Sequence, residues 1–594
     1  MQKKKSLDRG KSMKTVGTVF LAMYLLLSSR MGLTEEKESV SREEESSADK
    51  MVITREDIEK LNVHGIIELL NQLPGVSATD SGISFRGASA TGILVLLNGR
   101  PLNNPADAHR GVDWNIVSLH EIDRIEVNKG VGSVVYGDNI SGGTISITTR
   151  KVSDGGGGSI EAAFGSFNSQ LYDLNLRRKI GSLGMGLSTG LEESDGFRQN
   201  DHSSSKRIGT RISHDIDREK IMSLSFDYSK QDDESPGKSY APTPRAESHD
   251  ETLGSTLLLP IGRVKSATTY SSFEKNFQDP DKHLKTNLQS WVANEELTTA
   301  LSPKPVGMIN LGACFETAHA EGTSVASRKE RKYALYTVKE VRFESVPLKA
   351  DLGLRWSGYS EFPSAVYPQL QLKYEHPAVA VWLSVNRSNN TPSFYQRYYE
   401  STFSKPNPDL GMEKALNYSL GFSSQIIDAL EGNLSFFWNT IDDRITYIKR
   451  SDGFGTYVNL GSVTQKGIEA ASTGNFHRFL QVKCSYTFVL AEDDETGKQL
   501  TYTAKHKGNF DLYLKPLDRL SLGLTSRYTS KKFTKADNSE YVGSYFVVDA
   551  KADCAFEKVN LFLKLTNILD RDYEIGDGYP GEPLACTAGI KYGF

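Results

Sequence analysis

Alternation of apolar and polar residues is the dominant pattern of residues 151–594. The segment MSLSFDYS at 222–229 shows it most plainly, and the pattern recurs at 434–438, 520–524 and 559–566. Successive side chains of a β-strand point to opposite faces, so each segment predicts a strand with one apolar and one polar face.

Residues 51–150 have a compact α/β pattern instead. Thr54 stands three residues before Asp57 and ahead of apolar positions at helical spacing, which predicts a capped helical region ending at Leu73-Pro74-Gly75. Asn98-Gly99 follows the first of three predicted strands and indicates a tight turn. The three apolar runs that predict buried strands are Ile93–Leu97, Ile122–Val127 and Ile145–Thr149. About 100 residues suffice for one small domain.

The length of residues 151–594 helps to choose between two β architectures. A series of soluble β-sandwiches would alternate in the same way. Twenty-two strands of about 10 residues would use about 220 residues and leave roughly 11 for each connection. That average suits short turns alternating with longer loops, and the stretch has no internal linker of domain-boundary composition. The fold prediction is a transmembrane β-barrel of 22 antiparallel strands that covers residues 151–594.

The carboxyl-terminal residues support a closed barrel. Ala588, Ile590, Tyr592 and Phe594 share one face of a strand, and Phe594 is the last residue. A closed barrel pairs its last strand with its first, and a terminal aromatic anchors that strand at the membrane interface. We therefore predict that Tyr592 and Phe594 form the membrane-insertion signal.

Charge and mean hydropathy exclude two classes of protein. The 70 Lys and Arg residues against 74 Asp and Glu residues give a net charge of -4, which does not favour a nucleic-acid partner. The mean hydropathy is -0.42, and no uncharged run of 18 residues occurs, which excludes a polytopic helical membrane protein. A β-barrel remains compatible with these values, because its strands alternate lipid-facing and water-facing residues.

The amino-terminal residues have the layout of an export signal. Basic residues at 3–14 precede an apolar run at 16–27, which is too short to span a bilayer as a helix. Residues 1–33 are thus predicted to be a signal peptide, with an uncleaved anchor as the alternative. Residues 34–50 are acidic and small, a composition that predicts a flexible segment.

Motifs for catalysis or for cysteine-bound metal are missing from the sequence. The four cysteines Cys314, Cys484, Cys554 and Cys586 are far apart, so they do not favour a metal site, and a single disulfide stays open. The 11 His residues form no cluster, and neither a His-Glu-x-x-His nor a Gly-x-Ser-x-Gly motif occurs. We therefore expect that the protein is not an enzyme.

Four motifs follow one another in the predicted α/β domain: GISFRG at 82–87, VLLNGRPL at 95–102, IDRIEVNKG at 122–130 and VYGDNISGGTI at 135–145. In order and spacing they resemble the plug domain of TonB-dependent outer-membrane receptors of the siderophore and vitamin B12 type. The motif residues singled out are Gly87, Asn98, Gly99, Glu126, Gly130, Tyr136 and Gly137. Barrel segments also resemble the family: SDGFR at 194–198, NPDL at 407–410, TQKGIE at 464–469 and NILDRDY at 567–573.

The resemblance implies an α/β plug, residues 51–150, inside the lumen of the barrel. It also implies import of a scarce metal chelate, either a ferric siderophore or cobalamin, with haem as the alternative. Energy would come from TonB and its inner-membrane complex, and the protein would lie as a monomer in the outer membrane of a Gram-negative bacterium. Lipid, lipopolysaccharide and the barrel assembly machinery are the other expected partners. A passive porin and a secreted carbohydrate-binding β protein remain as rivals.

The resemblance also assigns attachment and coupling residues. Arg86 and Arg124 match two plug arginines that pair with two barrel glutamates in the family, and Glu469 matches one of these glutamates. The other glutamate position holds Ser419, and solvated surface is the alternative for both arginines. The candidate TonB-coupling segment is Glu38, Ser39 and Val40, with a plain linker as the alternative.

Two further groups of residues are candidate binding sites. Phe394, Tyr395, Arg397 and Tyr398 combine aromatic rings with a cation, which suits stacking on a flat chelate at the barrel mouth. A girdle at the lipid interface explains these aromatics equally well. Asp232, Asp233 and Glu234 are predicted to lie in a loop and could bind Ca²⁺ there, with solvated charge as the alternative. No other cofactor is expected.

Overall fold

The structure, a computed structural model, describes residues 50–61, 63, 65–79, 82–130, 132–152, 156–217, 219–302, 307–343 and 345–594. The predicted signal peptide and the coupling residues Glu38, Ser39 and Val40 lie outside the described residues. No helix within these ranges is long and apolar enough to cross a membrane.

The first domain is a small mixed sheet with short helices. Its elements are β1 (Lys50–Thr54), α1 (Arg55–Leu61), α2 (Ile66–Asn71), β2 (Val76–Thr79), β3 (Gly82–Phe85), β4 (Ile93–Leu97), β5 (Arg100–Pro101), β6 (Ile122–Lys129), α3 (Ser133–Tyr136) and β7 (Gly143–Thr149). Three 3₁₀ turns lie at Ala90–Gly92, Trp114–Ile116 and Leu119–Glu121. The sheet order is β1-β6-β7-β4-β5, with β4 and β7 parallel, while β2 and β3 form a separate hairpin.

Local sequence signals explain where the elements of this domain begin and end. The Thr54 hydroxyl accepts from the Asp57 N–H at 3.2 Å, and the Asp57 carboxylate accepts from the Thr54 N–H at 3.0 Å, as in a capping box. Asn98 and Gly99 have φ values of 52° and 85°, which a two-residue turn with positive φ requires. The three predicted strands are present, and their apolar side chains form the core of the domain.

The remaining strands follow in chain order. As far as α4 (Phe394–Tyr398) they are β8 (Gly157–Gly165), β9 (Gln170–Ile180), β10 (Leu183–Ser194), β11 (Ser203–Asp215), β12 (Ile221–Glu234), β13 (Gly237–Lys238), β14 (Ala241–Pro242), β15 (Glu247–Ile261), β16 (Val264–Asp279), β17 (Leu284–Leu301), β18 (Ile309–Gly322), β19 (Arg328–Phe343), β20 (Leu348–Tyr359), β21 (Ala365–His376) and β22 (Val379–Asn390). A 3₁₀ turn at Pro280–Lys282 connects β16 with β17.

Beyond α4 the strands continue to the carboxyl terminus. They are β23 (Glu413–Ile427), β24 (Leu430–Asp442), β25 (Ile445–Lys449), β26 (Gly455–Asn459), β27 (Ser462–His477), β28 (Leu480–Asp493), β29 (His506–Leu517), β30 (Leu520–Thr529), β31 (Lys532–Phe533), β32 (Tyr541–Val542), β33 (Tyr545–Phe556), β34 (Val559–Thr566), β35 (Glu574–Gly576), β36 (Tyr579–Pro580) and β37 (Ala585–Gly593).

Within the described ranges, 22 of these strands close into an antiparallel barrel, as predicted. The last strand, β37, pairs with the first, β8, so the barrel has no free edge. Connections alternate in length around the barrel. Tight turns such as residues 181–182 lie at the end that also holds Phe594, which we call the short-turn end. Long loops such as residues 391–412 lie at the opposite end, which we call the long-loop end.

Barrel strands carry apolar side chains outward and polar side chains inward. On β12, Leu224 and Phe226 are 46% and 39% exposed, whereas Asp227, which follows Phe226 and points inward, is 1% exposed and contacts the first domain. Tyr592 and Phe594 are also exposed, and their rings stack at 5.8 Å. All four cysteines are free thiols. The first domain contacts the inward faces through buried side chains, so it is a plug within the lumen.

Candidate functional site: the plug and its attachment to the barrel

Glu469 is the centre of one buried attachment between plug and barrel. Arg86 of the plug donates to its carboxylate at 2.9 Å, and Lys129 of the plug donates at 3.2 Å. The Arg86 guanidinium also lies 4.5 Å from the centre of the Phe437 ring on the wall. Buried charges need partners, and two cations here share one carboxylate and an aromatic face.

Glycine permits this close approach. A Cβ on Gly75, whose φ is +70°, would lie 2.1 Å from the Glu469 carboxylate. The turn at Pro74-Gly75 therefore brings backbone without a side chain against the wall. Lys129 also donates to the carbonyl of Pro74 in this turn. On the same side, Gln465 of the wall donates to the carbonyl of Gly87 at 3.0 Å. The sequence prediction of the Arg86–Glu469 pair agrees with this geometry.

Arg124 pairs with a carboxylate of the plug itself, and its role as a second barrel-bound arginine stays a prediction. Its Nε lies 2.9 Å from the carboxylate of Glu126, two residues along the same plug strand. Residues two apart share one face of a strand, so Glu126 is the nearest carboxylate. Ser419 on the wall offers no charge to compete for Arg124. The second cation on Glu469 is Lys129, at the end of β6.

A second buried attachment joins Arg100 to Asp227, and the sequence analysis missed it. Arg100 is 0% exposed and donates to Asp227, 1% exposed, at 2.7 Å. A Cβ on Gly254 would lie 1.8 Å from the Arg100 guanidinium, so this wall glycine makes the space that the side chain fills. Arg211 also lies 2.6 Å from Asp227. The presence of Arg100 after Asn98-Gly99 was visible in the sequence, but its partner 127 residues away was not.

A third contact holds Asp138 at the end of α3. The hydroxyls of Tyr359 and Tyr367 on the wall each donate to its carboxylate at 2.7 Å, and Lys332 lies at 3.4 Å. Burial raises the pKa of Asp138, but Lys332 and the hydroxyl donors outweigh it, so the pKa lies below its usual range. Arg355 of the wall donates to the Val134 carbonyl at 3.1 Å.

The remaining motif residues shape the plug around these contacts. Glu126 also pairs with Lys50 of β1 at 3.2 Å. Asn386 of the wall donates to the carbonyl of Gly130. Gly137 has a φ of +90°, and a Cβ there would lie 3.0 Å from Arg355. Tyr136 ends α3, next to that glycine.

At the long-loop end, residues 391–412 fold onto the plug. Ser393 begins α4 with a capping box, because its hydroxyl accepts from the Gln396 N–H at 3.2 Å. The Phe394 N–H donates to the Pro105 carbonyl at 3.1 Å. Arg110 of the plug donates to the Thr391 hydroxyl at 3.0 Å. The loop thereby covers part of the plug surface that faces the mouth.

The four aromatic and basic residues predicted to bind ligand divide into two pairs. Phe394 and Arg397 are 3% and 4% exposed, and Arg397 pairs with Glu330 at 2.6 Å. Their side chains fix the loop in this structure, and ligand binding by these two residues stays a prediction. Tyr395 and Tyr398 are half-buried, and Tyr395 stacks on Tyr399 at 4.1 Å. Lipid-girdle placement does not apply to them, since they lie in a loop.

A group of exposed tyrosines at the mouth was also missed. Tyr240, Tyr502 and Tyr579 are 65%, 53% and 43% exposed and come from three different long loops. Asp577 accepts from the Tyr240 hydroxyl at 2.7 Å and from Lys238 at 2.6 Å, which ties two of the loops together. Only the meeting of separate loops reveals the group, so local sequence contained no signal for it.

The predicted Ca²⁺ ligands are not brought together. Asp232, Asp233 and Glu234 lie at the end of strand β12 and not in a loop, so neighbours point to opposite faces. Asp232 pairs with His249 at 2.7 Å, and Glu234 accepts from the His202 N–H at 3.0 Å. Within the parts of the chain that the structure describes, no group of three or more His, Cys, Asp or Glu residues is arranged to hold a metal ion.

Comparison with known proteins yields the same architecture. The family described as "TonB dependent receptor-like, beta-barrel" matches residues 147–568, and the "TonB-dependent Receptor Plug Domain" matches residues 42–144. The vitamin B12 transporter BtuB of Vibrio cholerae is 24% identical, over 92% of each chain. BtuB of Photobacterium profundum is 22% identical, over 91% of this chain and 92% of its own.

Solved structures resemble the fold closely. The siderophore receptor PirA of Acinetobacter baumannii has a TM-score of 0.78 at 18% identity, covering 92% of this chain and 98% of its own. A mutant of the ferric enterobactin receptor PfeA of Pseudomonas aeruginosa has a TM-score of 0.79 at 17% identity, covering 92% and 99%. The barrel match alone spans more than half of the chain, and the plug match adds its amino-terminal part, so the chain belongs to the TonB-dependent receptor family.

Proposed function

We propose that this protein captures a scarce metal chelate, a ferric siderophore or cobalamin, at the surface of a Gram-negative bacterium and imports it across the outer membrane. The observation that carries the proposal is the folded plug, held inside a closed 22-stranded barrel by buried ion pairs. Such a lumen would leak solutes if it were empty, and while it is filled transport needs energy to move the plug. TonB and its inner-membrane complex supply that energy, and the candidate coupling segment is residues 38–40.

The orientation follows from the proposed location. The long-loop end faces the medium and the short-turn end faces the periplasm, as barrels of this type are built. The exposed mouth tyrosines Tyr240, Tyr502 and Tyr579 then provide ring faces for an aromatic or planar chelate. Vitamin B12 transporters among the relatives and siderophore receptors among the similar structures support the two chelate classes, and a haem receptor is the alternative.

The proposed partners fit the outer surface. Exposed leucines and aromatics on the barrel contact lipid, and lipopolysaccharide covers the half nearer the medium. Tyr592 and Phe594 present aromatic rings at the end of the closing strand, where the assembly machinery would recognise them. A closed barrel has no edge to pair with a second copy, which favours a monomer. Transport of this kind requires no resident cofactor and no catalytic residue.

Two rival functions fit the molecule less well. A passive porin needs a water-filled lumen, whereas the plug occupies this one. A secreted carbohydrate-binding protein needs a polar exterior, whereas outward residues such as Leu224 and Leu563 are 46% and 42% exposed. Neither rival function would account for buried ion pairs between plug and wall, such as Arg100 with Asp227.

The test is growth and uptake by a deletion strain supplied with labelled cyanocobalamin and labelled ferric enterobactin side by side. Complementation with this chain should restore energy-dependent uptake of one of them. The matched control is the same plasmid in a strain that lacks TonB, where binding to cells should persist and uptake should not. Equal uptake in the two strains would reject the proposal in favour of passive passage.

A further inference from the structure

A cavity of about 520 Å³ lies between the plug and the barrel wall at the seam where β37 meets β8. Its plug side is α1 and the 3₁₀ turn at Leu119–Glu121, and its wall side is β8, β9, β34 and β37. Cavities of this size hold drug-sized molecules. The residues that the argument uses are Arg55, Glu59, His120, Glu161, Phe562 and Lys591.

The cavity extends along the barrel wall. At one limit it reaches Leu171, the second residue of β9, just below the first turn of the long-loop end. At the other limit it reaches Lys558 and Gly593 at the rim of the short-turn end. Space of this kind lies along the direction that any solute crossing the barrel must follow.

One plug side chain bridges the cavity. Nε2 of His120 lies 2.8 Å from the Glu161 carboxylate, and Nδ1 lies 3.1 Å from the Lys591 ammonium. An ammonium group only donates and a carboxylate only accepts, so Nδ1 is the acceptor and Nε2 carries the proton. His120 therefore joins the plug to two side chains of the wall, Glu161 and Lys591.

This bridge differs from the buried attachment between Arg100 and Asp227. The Arg100–Asp227 pair is 0% and 1% exposed, whereas the His120 side chain is 17% exposed and opens onto the cavity. Partly solvated contacts exchange for water at little cost, while a buried ion pair cannot open without stranding a charge. Opening the contact between plug and wall therefore costs less at this bridge than at the buried Arg100–Asp227 pair.

We propose that this cavity is the passage by which the chelate leaves the barrel, and that the His120 bridge closes it at rest. The inference rests on the proposed import function. Arg55 and Lys591 oppose Glu59 and Glu161 along the passage, and Phe562 adds an apolar face. Balanced charge with apolar patches suits brief contact with a large amphipathic chelate and does not hold it.

Reversible cross-linking tests the passage. In a variant whose four cysteines are changed to serine, His120→Cys and Glu161→Cys are joined by a short bis-methanethiosulfonate reagent, which forms one disulfide with each thiol and releases methanesulfinate. A reductant cleaves both disulfides. The matched control joins Asn104→Cys to Ser290→Cys, a plug and wall pair in contact at 2.8 Å on β17, far from the seam. Labelled cyanocobalamin and labelled ferric enterobactin are used in parallel.

The seam cross-link should lower uptake at least tenfold, with full recovery on reduction and unchanged binding to cells. The β17 cross-link should leave uptake within twofold of the reduced protein. Unimpaired uptake through the seam cross-link, or equal loss with both, would overturn the inference. Wild-type uptake is measured first, because failure there sinks the proposed function, and the passage with it, before any cross-link is formed.

A second measurement does not depend on cross-linking. Glu59→Cys alone, in the same cysteine-free background, places one thiol in the passage. During energised uptake the chelate should slow maleimide labelling of this thiol at least threefold, and it should have no effect in cells lacking TonB. Labelling that ignores the chelate in both strains would contradict the proposal.

Discussion

The plug and the barrel bury opposite kinds of surface. In the plug, Leu70 and Ile125 are 0% exposed at the centre of an apolar core. In the barrel, Leu224 is 46% exposed and faces outward, while Asp227 on the inward face of the same strand is 1% exposed. The same residue types therefore lie inside one domain and outside the other, because the plug is surrounded by the polar lumen of the barrel, whereas the barrel is surrounded by lipid.

The difference teaches why the boundary between the domains is polar. The inward face of the barrel carries polar side chains that bind the plug. Asp227, Glu469 and Tyr367 of the wall pair with Arg100, Arg86 and Asp138 of the plug, respectively. Ion pairs and hydrogen bonds lose strength once water reaches them. A boundary built in this way is firm at rest and can be released by a local opening, which an apolar interface of the same area would resist.

The largest expected effect comes from uncoupling the plug from its energy source while the barrel stays intact. Deletion of residues 35–45 removes the candidate coupling segment and touches no residue that the structure describes. Binding of the chelate to cells should persist, because the mouth is unchanged, while uptake falls to background. A segment of the same residues 35–45 in scrambled order serves as the control for length and composition. Normal uptake by the deletion would remove this assignment.

Removal of the shared carboxylate should have the largest effect on stability. Glu469→Ala strands Arg86 and Lys129 in a buried site, which should destabilise the plug by about 3–5 kcal/mol. Glu126→Ala is the matched control, because its partners Arg124 and Lys50 are both partly exposed and lie within the plug, and it should cost about 1 kcal/mol or less. Hydrogen exchange of plug amides in detergent measures both, and similar protection in the two variants would contradict this role of Glu469.

The same substitution, leucine to alanine, should destabilise the two domains by different amounts. Leu70→Ala creates a cavity in the plug core and should cost about 2–5 kcal/mol. Leu224→Ala on the outer face should cost about 1–2 kcal/mol, because apolar contact is lost but lipid fills the space. Denaturant unfolding in lipid vesicles measures the difference, and a larger cost at Leu224 would reverse the assignment of faces.

Two plug carboxyls should respond to pH in opposite directions. The pKa of Asp138 is lowered, so its contribution is present above the ordinary Asp value and is lost as pH falls through the folded value. Burial raises the pKa of Asp113, so its carboxylate weakens the plug at neutral pH, and that penalty disappears as pH falls through the raised value. Asp138→Asn should cost about 1.5–3 kcal/mol at pH 7, whereas Asp113→Asn should be neutral or stabilising there.

Plug stability measured from pH 7 down to pH 3 distinguishes the two variants. The deficit of Asp138→Asn should shrink toward the acid end, and any gain of Asp113→Asn should vanish there, because the wild-type carboxyls become neutral. Parallel pH profiles for the two variants would show that the surrounding charges, Lys332 above all, do not act as the geometry indicates.

Features of the fold that depend on local sequence patterns were predictable from the sequence. Alternation over segments such as 222–229 predicted the strands and their outward face, and the capping pair Thr54 and Asp57 predicted the start of α1. Chain length was compatible with the 22 strands that the family resemblance implied, and the described barrel contains them. Each of these signals depends on residues close together in the chain, so no knowledge of distant contacts is needed.

Attachments between plug and wall were predictable only where the family resemblance supplied a partner. It supplied Glu469 for Arg86, but it also suggested a barrel partner for Arg124, whose charge is matched by Glu126 on its own strand face. The Arg100–Asp227 pair and the tyrosines at the mouth depend on contacts between segments far apart in sequence. Amino-acid composition and the periodicity of apolar residues do not indicate contacts between distant segments, so the structure was needed to find them.

Conductance of the protein in planar lipid bilayers tests the central claim, that a folded plug fills the lumen, most directly. The complete chain should be closed at rest, and a variant lacking residues 51–150 should form open pores of large and steady conductance. The variant must first show the heat-resistant, compact migration of a folded barrel in detergent gels. Equal conductance of the complete chain and the shortened one would show that the first domain does not block the barrel.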